Sequence, residues 1–230
     1  MGIFKTNAMV ISNDKSCLFP LVCRANHACV PNCTYIWDDE TGLQNLYACD
    51  NILPGEELTV SYLPDNMVEG RTSRRGMLRA LYRFDCICEL CSNDCGIMFE
   101  QDERDRVKAK MLIEVVNKTA ETMDCSLGGD VHKLMYSKTC KQLYKHLSSM
   151  RIHPTLEYLV LNCLFSISIL LLDQEQAIQY AERASCLSKK LTGGTSSNTK
   201  DWELTCTTIK DQFEDLEILQ SAVNSWCFII

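Results

Sequence analysis

Three cysteines fall within six residues at Cys86-x-Cys88-x-x-Cys91. Thiolates at this spacing can close around one soft cation from a single tight knuckle, and zinc asks for four ligands in a tetrahedron. Two cysteines compete for the fourth position. Cys95 is close in sequence, and Cys29 lies far upstream in Arg24-Ala25-Asn26-His27-Ala28-Cys29-Val30-Pro31-Asn32-Cys33. With 15 cysteines in the chain a chance cluster is the alternative, but a run this dense favours a metal. A centre of four thiolates leaves no open position for water, so its role is structural.

The upstream stretch is too polar and too rich in cysteine for an ordinary strand. Asn26 and His27 offer directional polar contacts, and Pro31-Asn32 signals a turn. Two later stretches answer it: Gly55-Glu56-Glu57-Leu58-Thr59-Val60-Ser61-Tyr62 and Phe84-Asp85-Cys86-Ile87-Cys88-Glu89-Leu90-Cys91. Adjacent Glu56 and Glu57 point to opposite faces if they lie on a strand, which makes one solvated and one structural rather than an acid–base pair.

In order and spacing the three stretches resemble the C-terminal half of a SET domain, the fold of protein-lysine methyltransferases, and most of all its SET-and-MYND (SMYD) subfamily. The likeness covers roughly the first 95 residues, under half the chain. It implies an α+β chain: a partial SET domain of short strands over residues 1–66, a post-SET helix and zinc-binding segment over 67–98, and an all-helical array similar to tetratricopeptide repeats over 99–230. It implies transfer of a methyl group from S-adenosylmethionine to a lysine amine, which must be neutral to attack. A narrow apolar channel favours the neutral amine by desolvating the ammonium. Tyr62 matches the tyrosine that orients the amine. Asn26 and His27 match positions that contact the cofactor, and Phe84 matches an aromatic that packs on its adenine. Cys29 matches the cysteine that completes the zinc site with Cys86, Cys88 and Cys91.

The chain departs from the pattern in three places. Ala28 stands where the family has serine, no Gly-x-Gly turn precedes Asn26, and the MYND finger is missing. The resemblance therefore implies a chain that starts inside the SET domain and is nearly inactive alone. The other reading is a catalytically inactive, zinc-stabilised interaction module working through its helical array. A redox cysteine protein lacks the βαβ context that its Cys-x-x-Cys motif needs.

Composition narrows the partners. Hydrophobic residues make up 46% of the 230 residues, enough for a real core, and the net charge of −7 argues against broad phosphate-backbone binding. The expected partner is a protein or peptide lysine, histone or non-histone, with no direct nucleic-acid or membrane contact and a monomeric chain in cytoplasm, nucleus or both. Met1–Thr6 lacks the regions of a signal peptide, so the cysteines read as reduced thiols or ligands. The same residues fit an N-myristoylation pattern, best taken as a chance match. Asn32-Cys33-Thr34 and Asn117-Lys118-Thr119 are glycosylation sequons expected to be inert.

The elements that must position these groups follow. Gly2–Ile11 suits an edge strand and Ser12–Ser16 a loop. Thr34–Trp37 and Leu43–Ala48 flank an acidic, Gly-containing turn, a hairpin signal. Arg71–Phe84 reads as a helix whose Arg71, Arg74, Arg75, Arg79 and Arg83 form a solvated face, the alternative being an acidic partner. Beyond Cys95 come five helical patterns, about Asp102–Met123, Asp130–Ser149, Pro154–Leu172, Asp173–Thr192 and Trp202–Val223. Val107, Met111, Val115 and Met123 are spaced for one face, Gly193–Thr199 reads as a flexible linker, and Leu156–Leu172 is too short for a bilayer span and reads as a core helix.

Overall fold

The computed structural model describes residues 7–12, 15–38, 41–63, 68–92, 97–215 and 218. The chain divides into two compact units, Met1–Glu103 and Arg104–Ile230.

In the first unit, β1 (Met9–Ser12) pairs antiparallel with β2 (Lys15–Cys17). The expected edge strand is therefore a hairpin arm beginning at Met9, and the expected loop carries its partner; the myristoylation pattern lies outside the described residues. A 3-10 turn, Val22–Arg24, leads into β3 (Asn26–His27). The hairpin is formed by β4 (Cys33–Asp38) and β5 (Leu43–Ala48), in unbroken register from Cys33 opposite Ala48 to Asp38 opposite Leu43. Gly42 takes the positive φ, 67°, that this turn needs.

The chain then returns to lay β6 (Thr59–Val60) parallel to β3, Asn26 beside Thr59 and His27 beside Val60. Asn32 clips this return in place. Its Oδ1 accepts the Thr59 N–H at 2.9 Å, and its Nδ2 donates to the Glu57 carbonyl at 2.9 Å and to Glu56 Oε1 at 3.0 Å. Glu56 Oε2 also accepts the Leu53 N–H at 3.0 Å. Both glutamates are thus engaged, since Glu57 accepts from Asn26; neither is a merely solvated acid.

Helix α1 (Arg71–Tyr82) ends where Arg83 enters the left-handed region with φ 63°. Its arginines do not form one solvated face. Arg71, Arg74 and Leu78 are buried, three and four positions apart on one side of the helix, and only part of the arginine set is outside. Arg71 stacks over Phe99 at 5.2 Å, whereas Arg79 pairs with Asp85. The short α2 (Glu89–Ser92) completes the cysteine knuckle.

Helix α3 (Ile97–Thr122) comes next, and α4 (Val131–Leu147), α5 (Pro154–Leu170), α6 (Gln174–Thr192) and α7 (Ser197–Gln212) follow. In order, α4 packs on α5, α5 on α6 and α6 on α7. No strand occurs among the described residues from 97 to 215. The starts are capped by side chains: Asp130 accepts the Lys133 N–H, Asp173 the Gln176 N–H and Ser196 the Thr199 N–H. Helix α5 is buried along most of its length, and no helix among the described residues is long and apolar enough to cross a membrane. Trp202, 1% exposed, stands edge-on to Phe165 and donates from Nε1 to the Tyr158 hydroxyl at 2.9 Å.

Two helical expectations fail for identifiable reasons. Of the expected stripe Met123 is buried but Val107, Met111 and Val115 are exposed; α3 instead buries Arg106, Ala109 and Val116, with Arg106 donating to the Arg151 carbonyl at 3.2 Å. A long side chain that finds a carbonyl acceptor can hold a buried position against an apolar stripe. The linker expected at Gly193–Thr199 is a bonded turn. Thr199 is fully buried and donates to the Gly193 carbonyl at 2.9 Å, and its hydroxyl lies 3.1 Å from Ser188 Oγ. Helix α7 therefore begins at Ser197, ahead of Trp202.

Candidate functional site

The β3–β6 pair, the end of α1 and the α2 knuckle converge on one place. Cys86 and Cys91 are buried against Leu63 and Leu78, with Cys29, Tyr62, Tyr82, Phe84 and Cys88 packed around them. The sulfurs of Cys29, Cys86, Cys88 and Cys91 all lie within 4.8 Å of one another, and Cys29 Sγ is 3.6 Å from Cys91 Sγ. That is too far for a disulfide and close to the sulfur–sulfur edge of about 3.8 Å in a tetrahedron with metal–sulfur bonds of about 2.3 Å. The knuckle is closed locally, since the Cys88 carbonyl accepts the N–H groups of Cys91 and Ser92, each at 2.8 Å.

Four thiols this close cannot ionise independently. Hydrogen bonding to Cys29, then to Cys86, holds Cys91 down at about 7, and Cys88 is driven far below the ordinary thiol range by Cys29, Cys86 and Cys91. Cys29 is pushed far up, chiefly by Cys86. A divalent cation at the centre removes this conflict, and the all-sulfur donor set fits zinc. Cys95 lies outside the described residues.

His27 links this centre to Tyr62. Its Nδ1 accepts the Tyr62 backbone N–H at 3.0 Å, and its Nε2 lies 3.4 Å from Cys29 Sγ. A backbone N–H can only donate, so the neutral ring carries its proton on Nε2, directed at the sulfur. Burial lowers the His27 pKa to about 4, which keeps the ring neutral.

The rings form a cluster. Tyr62 lies 5.4 Å from His27, 4.9 Å from Tyr82 and 6.2 Å from Phe84 between centroids, and His27 lies 6.1 Å from Phe84. The Tyr62 hydroxyl donates to the Ala25 carbonyl at 2.7 Å, and that of Tyr82 to the Tyr62 carbonyl at 3.3 Å. Burial, then the nearby Tyr82, raises the Tyr62 pKa, so the phenol keeps its proton.

Of the residues singled out from the sequence, His27, Tyr62, Phe84 and the four cysteines come together. Asn26 does not join the rings. It precedes His27 on β3, points the other way and is exposed, its Nδ2 donating to Glu57 Oε1 at 2.6 Å. Tyr82 and Asn32 were not singled out as site residues, though Tyr82 sits two positions before Phe84 and Asn32 closes the Pro-Asn turn.

Residues 3–63 match the SET domain family. The chain carries a SET-domain match over these residues. It is similar to the histone-lysine N-methyltransferase set5 of Schizosaccharomyces pombe, 32% identical over 92 residues that make up 40% of this chain and 28% of the relative. It is similar to the human protein-lysine N-trimethyltransferase SMYD5, 33% identical over 119 residues, 51% of this chain and 27% of the relative. With the mouse histone-lysine N-methyltransferase Smyd1 it shares 29% identity over 145 residues, 54% of this chain and 29% of the relative. The chain thus spans less than a third of the length of these relatives. Tyr62, His27 and Cys29 fall inside the SET match; Phe84 and the knuckle cysteines follow it.

Proposed function

We propose that this chain contributes to an S-adenosylmethionine-dependent protein-lysine methyltransferase of the SMYD type. The observation that carries the reading is the placement of Tyr62: inside the SET match, it is held in a cluster with His27, Tyr82 and Phe84. S-adenosylmethionine, when bound, supplies an electrophilic methyl group on its sulfonium. Asn26 and His27 would hold its polar groups and Phe84 would take its adenine face. Tyr62 would orient the incoming lysine amine, and the rings around it would exclude water and favour the neutral amine.

Cys29, Cys86, Cys88 and Cys91 would hold one structural zinc, tying the knuckle to the β3 loop 62 positions upstream. Residues 1–66 would form the SET portion, 67–98 the post-SET segment, and 99–230 a helical array of the tetratricopeptide kind that presents a surface to the substrate protein. Substrates would be lysines of histone or non-histone proteins in the nucleus or cytoplasm.

The test is transfer of labelled methyl from S-adenosylmethionine to lysine-bearing proteins by a polypeptide containing this chain, wild type against Tyr62→Phe. Saturable cofactor binding with lysine-specific labelling that the variant loses supports the reading. Cofactor binding absent in the wild type points instead to an inactive interaction module.

A further inference from the structure

Arg74 is 2% exposed, among the most deeply buried charged side chains among the described residues. Its Nη1 donates to the Glu69 carbonyl, but Nε and Nη2 are buried with no partner in hydrogen-bonding geometry among the described residues. A buried charge with two unsatisfied donors is costly unless a counter-charge lies close by. The helix face points towards the cysteine centre. Leu78, one turn along α1 from Arg74, lies in the same buried cluster as Cys86 and Cys91. The guanidinium keeps its charge in any protein environment, and the groups of the centre that favour that charge against burial are Cys29 and Cys91.

Four thiolates around a divalent ion leave a net charge of about −2 in a dry environment. We propose that Arg74 is the outer-sphere cation of the cysteine centre, its Nε and Nη2 donating to the sulfurs of Cys29 and Cys91 and cancelling part of that surplus negative charge. His27 supplies Cys29 with a neutral N–H; Arg74 supplies the charge. The planar fork of a guanidinium can serve two sulfurs at once, which an ammonium cannot do in the same geometry. This inference rests on the zinc reading above.

The test measures metal binding, not catalysis. Zinc affinity is read by competition with a chromophoric chelator, and cobalt(II) is substituted to read the sulfur-to-metal charge-transfer band. Wild type, Arg74→Met and Arg74→Lys are compared, with helical content measured by circular dichroism. Arg74→Met should bind zinc about 10- to 100-fold more weakly and shift the cobalt band to lower energy, because sulfurs without a cationic partner give up electrons more easily. Arg74→Lys should recover affinity in part. A folded Arg74→Met with affinity within about twofold of wild type and an unmoved band overturns the proposal. If Arg74→Met fails to fold, Arg74→Lys decides: a band that matches wild type in every respect refutes the two-sulfur fork. A wild-type protein that takes up neither zinc nor cobalt removes the zinc reading itself, and the Arg74 proposal with it.

Discussion

His27 accepts the backbone N–H of Tyr62 through Nδ1, at 3.0 Å, across the parallel β3–β6 pair. The position of Tyr62 is therefore set by the same ring that contacts Cys29. His27→Asn keeps an acceptor where Nδ1 was and loses the sulfur contact, whereas His27→Ala leaves a half-buried N–H without a partner. Leaving such a donor unsatisfied costs about 1–3 kcal/mol. His27→Ala should therefore be less stable than His27→Asn by that order in urea unfolding. Equal stabilities would show that the bond to Tyr62 contributes nothing.

If Tyr62 orients the amine as proposed, Tyr62→Phe should lower methyl transfer by a polypeptide containing this chain about 10²- to 10³-fold, the usual effect of removing one well-placed polar group at a reacting centre. The variant also loses the 2.7 Å bond to the Ala25 carbonyl, so it should lose about 1 kcal/mol of stability while the ring packing survives. Labelled-methyl incorporation and thermal unfolding measured on the same samples separate the two effects. Unchanged turnover removes Tyr62 from the mechanism.

Cys86→Ser and Cys29→Ser should each abolish binding of one zinc per chain and lower the melting temperature. Exposed Cys186, remote from the knuckle in sequence, serves as the control: Cys186→Ser should keep both metal and stability. Elemental analysis of purified protein reads the metal. If Cys29→Ser retains zinc while Cys95→Ser loses it, the fourth ligand is Cys95.

The cysteine cluster is legible in sequence because three of its members sit in one short knuckle, where spacing alone dictates geometry. The β4–β5 hairpin was legible for the same reason. Cys29 was reached only through family resemblance, since the parallel pairing that brings it to the knuckle leaves no local trace. Arg74 was hidden among neighbouring arginines: charge counts do not reveal which member of a helical series faces inward. The exposed Val107, Met111 and Val115 show the converse, an apolar period on α3 that is not a buried face.

His153 caps α5, its Nδ1 accepting the Thr155 N–H at 3.3 Å and lying 2.8 Å from the Thr155 hydroxyl. Burial lowers its pKa from 6.5 to about 4. The folded state therefore binds fewer protons than the unfolded chain across this window. The contribution of His153 is fully present above pH 6.5 and is lost as the pH falls towards 4, with a slope of at most about 1.4 kcal/mol per pH unit. His153→Asn, which can still cap but does not titrate, should flatten the dependence in urea melts between pH 7.5 and 4.5. An unaltered slope would assign the acid sensitivity elsewhere.

Trp202→Ala should cost about 3–5 kcal/mol, the range for removing a buried large aromatic, because it empties the contact with Phe165 and leaves the Tyr158 hydroxyl without its donor. Trp202→Phe restores much of the volume and should lose less. Denaturant midpoints of the two variants test the order, and a reversed order would deny that volume dominates there.

The parallel pairing of β3 with β6, and the meeting of Cys29 with Cys91 62 positions later, also bear on the order in which the chain folds. Closing such long loops is entropically slow, and each contact is rewarded only after the intervening chain has been arranged. From α4 to α7, by contrast, each helix packs on the next one in sequence, so structure there can spread from neighbour to neighbour. The helices should therefore gain protection from hydrogen exchange before the β3–β6 amides do. A newly made chain would then pass through a stage in which its helical part is formed while the four thiols are still apart and open to oxidation.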